Sequence, residues 1–392
     1  MTAKIEVAAG LRNWVEVDGA ALRHNAREFR RRLAASTRLG VVVKSNAYGH
    51  GILETARIAV DEGCDWLCVN EASEGAALRS AGFRKPILVM GYVPLGELDA
   101  VVAHDLRPVV YNLETLERLQ TLCEQAGKQV ALHLKVETGT HRQGIPLDEL
   151  EQFARRIDGS PQLRLDGLST HFANIEDTTE HGFAEEQIAR FQSAAASLRE
   201  HHPELICHAA CSAATLLFGR MHLDLARIGI SFYGIWPSKE TYLSCLERGT
   251  PTLDLRPALS WKTRVAQVKT VPEGSFIGYG CTYRTTRESR IAVLPVGYYE
   301  GYDRGLSGVG HVLIRGKRAP VRGRVCMNMC MVDVSDIPGA GLEDEVVLLG
   351  SQEGEHIAAA QIAAWLGTIS YEVVARINPE LRRIVTDSDA AS

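Results

Sequence analysis

No apolar stretch in the 392-residue chain approaches the roughly 20 residues that a bilayer-spanning helix needs, so a span of that kind is not expected. The opening Met1-Thr2-Ala3-Lys4-Ile5-Glu6 lacks the apolar core of a secretory signal, and a cytoplasmic location is expected. A cationic excess is missing too. With 43 Lys and Arg against 48 Asp and Glu, the formal charge is −5, which argues against nucleic acid or an anionic membrane surface as a partner. The nine cysteines are odd in number, and Cys64, Cys68 and Cys207 lie inside apolar runs, so packed thiols are favoured over a disulfide framework. The pairs Cys64/Cys68, Cys207/Cys211 and Cys326/Cys330 stand four apart without a matching second pair, so no metal site is expected. Internal repeats, low-complexity tracts and a Gly-rich Rossmann loop after a strand are also absent.

What the chain does have is an ordinary globular composition, 45% hydrophobic and 23% charged, and a length that suits two domains. Eight short apolar runs can be counted: Leu39 to Val43, Trp66 to Val69, Pro86 to Met90, Pro108 to Tyr111, Val130 to Val136, Leu163 to Thr170, Leu205 to Cys211 and Ala226 to Tyr233. Between them lie stretches such as Leu53 to Glu62, Leu113 to Ala126 and Phe183 to Glu200, with apolar residues at helical spacing. Eight buried strands separated by helices predict a (β/α)8 TIM-type barrel over residues 1–237. After Pro237 the texture changes to two-residue alternation, as in Leu259, Trp261, Thr263 and Val265, with runs such as Val321 to Val325 reading as short strands. A mainly β domain is therefore expected over residues 238–392, broken by a helix near 356–366.

In a barrel the chemistry gathers where strands run into the following helices, so Lys44, Arg142, His171, Ser212 and the stretch Arg227 to Ile230 are predicted to share one rim. Lys44 ends the run Val41-Val42-Val43 and precedes Ser45-Asn46-Ala47-Tyr48-Gly49-His50-Gly51. A primary amine at the mouth of a buried strand, beside a flexible turn and a phenol, suits an aldehyde cofactor that carries a phosphate. Taken alone, the same lysine reads more readily as a solvated residue just past a strand.

The ordered set is more specific than any member of it. Lys44 with Tyr48, Lys135 to Gly144 around Arg142, Ser169-Thr170-His171-Phe172-Ala173, Ser212-Ala213-Ala214, Arg227-Ile228-Gly229-Ile230, Gly278-Tyr279-Gly280, Leu294 to Tyr298, Gly323 to Asn328 and Ser370-Tyr371-Glu372-Val373 follow one another along the chain. In this the sequence resembles the alanine racemase family, whose members carry pyridoxal 5'-phosphate on a barrel followed by a β domain. The likeness runs from Val15 to Ile377. It implies interconversion of L-alanine and D-alanine by two opposed acid/base groups, with the D-alanine product feeding cell-wall synthesis.

By that resemblance Lys44 holds the cofactor as an imine and then serves as base on one face, while Tyr279 from the partner subunit of a homodimer serves the other. His171 and Arg227 are then the cationic neighbours expected to keep the phenol ionisable. Tyr48, Ser212, Tyr371 and the amides of Gly229 and Ile230 hold the phosphate. Arg142 faces the cofactor phenolate and the substrate carboxylate, Lys135 is the lysine whose carbamylated form orients it, Met327 contributes a backbone amide to the substrate carboxylate across the subunit boundary, and Tyr298 is a bulky residue on the pocket side. Arg227 takes the ring nitrogen; a guanidinium can donate there but cannot give up its proton, which weakens the electron sink and favours racemisation over transamination.

Departures remain. Asn328 stands where aspartate is common, Cys211 where asparagine often precedes the serine, and Tyr299 to Asp303 is a variant segment. Of His50, His133 and His208, only His208 suggests a role, as a relay to His171 or as a satisfied core residue. Competing readings are a pyridoxal-dependent decarboxylase, against which Arg227 argues; a non-catalytic pyridoxal-phosphate-binding protein, against which the residues beyond Pro237 argue; and a racemase for serine or for a broader set of amino acids. Tyr371 and Tyr298 favour a small side chain.

Overall fold

A computed structural model of the chain describes residues 10–387. They divide into two compact units: one of Leu22–Ala47 and Ile52–Arg256, the other of the residues up to Ala21, Tyr48–Gly51 and those from Pro257 on.

The first unit is built on eight parallel strands, hydrogen-bonded in the order Ile206–His208, Leu163–Ser169, Val130–Lys135, Arg107–Val110, Ile87–Val89, Trp66–Val69, Arg38–Val42 and Leu225–Ile228. Two backbone bonds join the ends, from Asp224 N to Cys207 O at 3.1 Å and from Arg227 N to Ala210 O at 3.0 Å, and close the sheet into a barrel. Each of the eight apolar runs overlaps one of these strands, three of which begin one residue earlier, because a strand covered on both faces reads as an unbroken apolar run. Trp66, Leu67, Cys68 and Val69 are all buried, and burial of a large aliphatic side chain stabilises by roughly 1.5–3 kcal/mol. Helices cover the outside. Leu113–Ala126 has the predicted bounds and ends on Gly127 at φ 61°, a left-handed cap that costs glycine little.

The second unit holds a sheet in the order Lys317–Pro320, His311–Ile314, Glu345–Gln352, Leu259–Arg264, Asn13–Asp18 and Arg382–Thr386, with Glu355–Ile357 paired to Glu345–Gln352. A three-stranded sheet of Gln267–Val271, Ser289–Leu294 and Cys330–Asp333 accompanies it, and the helices Ala359–Leu366 and Ser370–Ala375 complete it. Leu259, Trp261 and Thr263 are buried and alternate with half-buried Ser260, Lys262 and Arg264, as their two-residue spacing requires.

The compact units are discontinuous in sequence, and one strand sits elsewhere than the sequence suggests. Helix Lys239–Glu247, capped by the Ser238 hydroxyl accepting from Thr241 N at 2.9 Å, groups with the barrel. The strand Asn13–Asp18 instead pairs with Leu259–Arg264 and Arg382–Thr386 in the other unit. The strand expected at Val321 to Val325 sits at Lys317–Pro320, with Val321 making only an isolated bridge to Val332. Gly323 explains the early end: its φ of +72° lies in the left-handed region, and a Cβ there would stand 2.3 Å from Ile277 O. No helix among the described residues is long and apolar enough to cross a membrane.

Candidate active site

Lys44 follows directly on the barrel strand Arg38–Val42, whose register sets Gly40 beside Arg227 and Val41 beside Ile228. Val43 N still bonds Cys68 O at 2.8 Å. The backbone then reverses hand. Ser45, Asn46, Ala47 and Tyr48 all have φ of 53–54°, a left-handed turn that costs non-glycine residues roughly 1–2 kcal/mol apiece. Three bonds hold it: Ser45 N to Glu74 Oε1 at 2.6 Å, Ile52 N to Asn46 Oδ1 at 3.0 Å and Ala47 N to Val43 O at 2.9 Å. Backbone strain over-determined in this way is characteristic of functional sites.

Arg227 is buried in the strand Leu225–Ile228. Its Nη2 donates to Thr170 O at 3.0 Å and Ala209 O at 3.1 Å, and its Nη1 donates to His208 Nδ1. His208 Nε2 lies 2.7 Å from His133 Nδ1. His208 thus joins Arg227 and His133 rather than His171, so the relay considered from the sequence runs the other way.

Arg142 rides on a clamped loop. Glu137 Oε1 accepts from Gly139 N and Thr140 N, both at 2.6 Å, and Thr140 Oγ1 donates to His171 O at 2.6 Å. Thr138 Oγ1 and Thr170 Oγ1 lie 2.8 Å apart. Gly144 is required at its position, since at φ +153° a Cβ would stand 2.6 Å from Glu137 N. Lys135 Nζ donates to Gln143 Oε1 at 3.2 Å, and Gln143 Nε2 donates to Tyr111 OH at 2.9 Å.

These side chains make a cationic cluster. Burial, then the nearby Arg142, lowers the Lys44 ammonium, against a smaller upward pull from Glu74. Burial, with Arg227 and Arg142 behind it, pushes Lys135 down to about 8. The same causes, joined by Lys135 and Lys44, push His171 down to about 3. Burial and the surrounding cations thus favour the neutral form of the His171 imidazole near pH 7. Among the described residues no carboxylate forms an ion pair with Lys44, Lys135, Arg142 or Arg227.

Ser212 opens the helix Ser212–Leu217, but its hydroxyl does not cap that helix. Its Oγ instead accepts from Gly229 N at 3.0 Å and Ser231 N at 3.4 Å. With two donors already pointing at it, the hydroxyl keeps its own proton for an acceptor. Ser231 Oγ is buried without a hydrogen-bond partner, and Ile230 is fully buried beside it.

The remaining candidates belong to the other unit. Tyr48 and Tyr371 face each other with ring centroids 6.1 Å apart. Gly49, at φ +83°, admits no side chain, since a Cβ would stand 2.1 Å from Val374 O. Tyr298 N and Tyr299 N bond Cys326 O and Met327 O at 3.1 and 2.9 Å, tying two sequence-distant segments together. Tyr279, Met327 and Tyr298 are 74%, 55% and 44% exposed.

Residues 17–237 match the family described as the N-terminal domain of alanine racemase, and residues 258–385 match its C-terminal domain. The chain belongs to the alanine racemase family. Alanine racemase of Desulfovibrio desulfuricans is 40% identical over 375 residues, covering 95% of this chain and 98% of that protein. The solved alanine racemase of Clostridium difficile 630 superposes with a TM-score of 0.89 at 30% identity, covering 96% of both chains. That of Bartonella henselae, with covalently bound pyridoxal phosphate, gives 0.82 at 25% identity, over 96% of this chain and 100% of that one.

Within this family frame the departures acquire a physical reason. Asn328 Nδ2 donates at 2.9 Å to the buried carboxylate of Glu300, which also accepts from Gly297 N at 2.9 Å and lies 3.4 Å from Arg12 Nη2. An aspartate at 328 would set a second negative charge against Glu300, so the variant segment and Asn328 are suited to each other. Sequence reasoning missed Glu137, Gln143, Thr170 and His133. Glu137 and Gln143 lie within the motif around Arg142, but nothing local signals that His133 meets a residue 75 positions away.

Proposed function

We propose that the protein interconverts L-alanine and D-alanine, using pyridoxal 5'-phosphate, as a homodimer with shared active sites. The observation that carries this reading is the buried, donor-only environment of Arg227, whose bonds to two carbonyls and a histidine leave no carboxylate on the guanidinium. A decarboxylase of the competing kind would call for a carboxylate at the ring nitrogen.

The residues present fit an anionic, phosphate-bearing aldehyde. Lys44, Lys135, Arg142 and Arg227 bring positive charge without an ion-paired carboxylate, and Ser231 Oγ is a buried hydroxyl still lacking a partner. Both are costly in the protein alone and are relieved by an anion that accepts hydrogen bonds. Lys44 would hold the group, with Tyr48, Ser212, Tyr371, Gly229 and Ile230 at its phosphate, Arg142 and His171 along its face and Arg227 at its ring nitrogen. When bound, pyridoxal phosphate supplies the electron sink that makes the substrate Cα proton removable.

The chain's own residues do the rest. Lys44 Nζ, with its proton affinity lowered by burial and by Arg142, moves a proton at one face of the substrate Cα. Tyr279, acting on the partner subunit's site, does so at the other face, which the exposure of its ring permits. Arg142 pairs with the substrate carboxylate through its planar fork, and Met327 N and Tyr298 bound the substrate from across the dimer. Lys135, brought down to about 8, is mostly charged near neutrality but offers a larger unprotonated fraction for carbamylation than an ordinary lysine, and a carbamate would place an anion among Arg142 and Arg227. Tyr371 and Tyr298 favour a methyl-sized side chain by roughly 1–3 kcal/mol over larger ones.

The test is purified protein with added pyridoxal phosphate, L-alanine, L-serine and lysine offered separately, and chiral chromatography in deuterated solvent. Racemisation of alanine with deuterium at Cα is expected, and it falls on dilution to monomer. Release of carbon dioxide, or visible absorbance without turnover, overturns the reading in favour of a decarboxylase or a binding protein.

A further inference from the structure

We propose that His133 and Asp166 are positioning residues for Arg227: a one-way hydrogen-bond chain through the barrel holds both buried imidazoles neutral in their Nε2–H forms and so fixes the guanidinium. The argument is a proton inventory. An arginine guanidinium is donor-only, so its Nη1 bond obliges His208 Nδ1 to accept. The His208 proton must then sit on Nε2, which lies 2.7 Å from His133 Nδ1. His133 Nδ1 must accept in turn, and its proton moves to Nε2, which points at Asp166 Oδ2 3.7 Å away. That last gap is too long for a full hydrogen bond but short enough for attraction between the ring N–H and the carboxylate.

Asp166 is well placed to terminate the chain. Arg107 Nη1 and Arg164 Nη1 hold its two oxygens at 2.5 and 2.7 Å, and it remains an anion, brought to about 2 against the opposing effect of burial by His133, Arg107 and Arg164. The Trp66 ring packs edge-on against His133 with centroids 5.3 Å apart, and Arg107 lies 5.2 Å over that indole. His133 thus meets Asp166, Arg107, His208 and Arg227, while His208 meets Arg227, His133 and Lys135. Burial is the foremost cause lowering both histidines; Asp166 pulls His133 back up without overcoming it, and Arg227 adds to the lowering of both, so neither takes a second proton near neutrality. A protonated His208 would have to turn a donor toward another donor.

The tautomers rest on hydrogen bonds alone, whereas the consequence for catalysis rests on the racemase reading, and the two are tested separately. Protein labelled with 15N histidine and free of cofactor is expected to show His133 and His208 as neutral Nε2–H rings across the neutral pH range. Asp166→Asn is expected to leave both tautomers in place, because Arg227 sets them from the other end of the chain, and to speed exchange of the His133 Nε2 proton with solvent. In the loaded enzyme, His133→Leu is expected to lower kcat roughly tenfold with little change in KM and to raise transamination relative to racemisation, while His133→Asn, which keeps an acceptor near Nδ1, recovers most of kcat. A protonated ring or an Nδ1–H form in the unmodified protein overturns the proposal, as does a folded His133→Leu enzyme with unchanged kcat. Correct tautomers in a protein that racemises nothing support the chain and sink the racemase reading instead.

Discussion

The barrel and the β unit present their candidate residues in opposite ways. In the barrel, Arg227 is buried and every bond it makes is to a neutral acceptor, Lys135 and His171 are displaced in proton affinity by burial and by neighbouring cations, and the Arg142 loop is pinned by Glu137 and two threonines. In the β unit, Tyr279 and Met327 are mostly in solvent and Tyr298 is 44% exposed, on segments shaped by Gly278, Gly280 and Gly297. Burial tunes charge, which suits groups that must hold an anion and set proton affinities. Exposure tunes nothing by itself, and residues of that kind gain their chemistry from what covers them. A site completed by a second subunit, as proposed, would show this contrast.

The sharpest way to break the contrast is Lys44→Ala, expected to cost roughly 10³–10⁴-fold or more in racemisation, because it removes the tether and one proton carrier together. Chiral chromatography reads it, and a fully active variant ends the barrel side of the comparison. Tyr279→Phe comes next: a loss of roughly 10²–10⁴-fold is expected, with thermal stability unchanged because the ring is exposed in the chain. A large drop in stability with activity retained would recast Tyr279 as structural. Arg227→Glu is expected to change the product ratio more than the rate, raising transamination relative to racemisation; an unchanged ratio removes the electron-sink argument.

The smallest effect tests the base of the histidine chain. Asp166 has a folded value of about 2, below its unfolded value, so it contributes stability that is present above roughly pH 4 and lost as pH falls through about 2. Asp166→Asn is therefore expected to lower stability by about 1–2 kcal/mol near neutrality, with the difference from the parent shrinking toward pH 2. Urea unfolding across that range measures it. A constant difference at all pH values would mean that packing, not charge, holds the position.

Much of the fold was legible because its signals are local. All eight barrel strands match the apolar runs counted beforehand to within one residue at their start, and the Leu259 to Arg264 alternation matches its burial. The grouping into units was less legible: only the pairing of Asn13–Asp18 with Leu259–Arg264 and Arg382–Thr386 assigns that strand. The strand misplaced at Val321 shows the same limit, since the block at Gly323 comes from the Ile277 carbonyl, 46 positions away.

For the site, residue types and their order along the chain were enough to name Lys44, Arg142, His171, Ser212, Arg227 and Tyr279 as candidates and to bring the barrel members to one rim. Periodicity and strand-end position are properties of neighbouring residues, and so they survive in one dimension. The lowered proton affinity of His171, the acceptor role of Ser212 Oγ, the pairing of Asn328 with Glu300 and the bonds from Arg227 through His208 to His133 were decided only by tertiary structure. Proton affinity and hydrogen-bond direction depend on how much water is excluded and which distant groups close the gap, and neither quantity exists until the chain has folded.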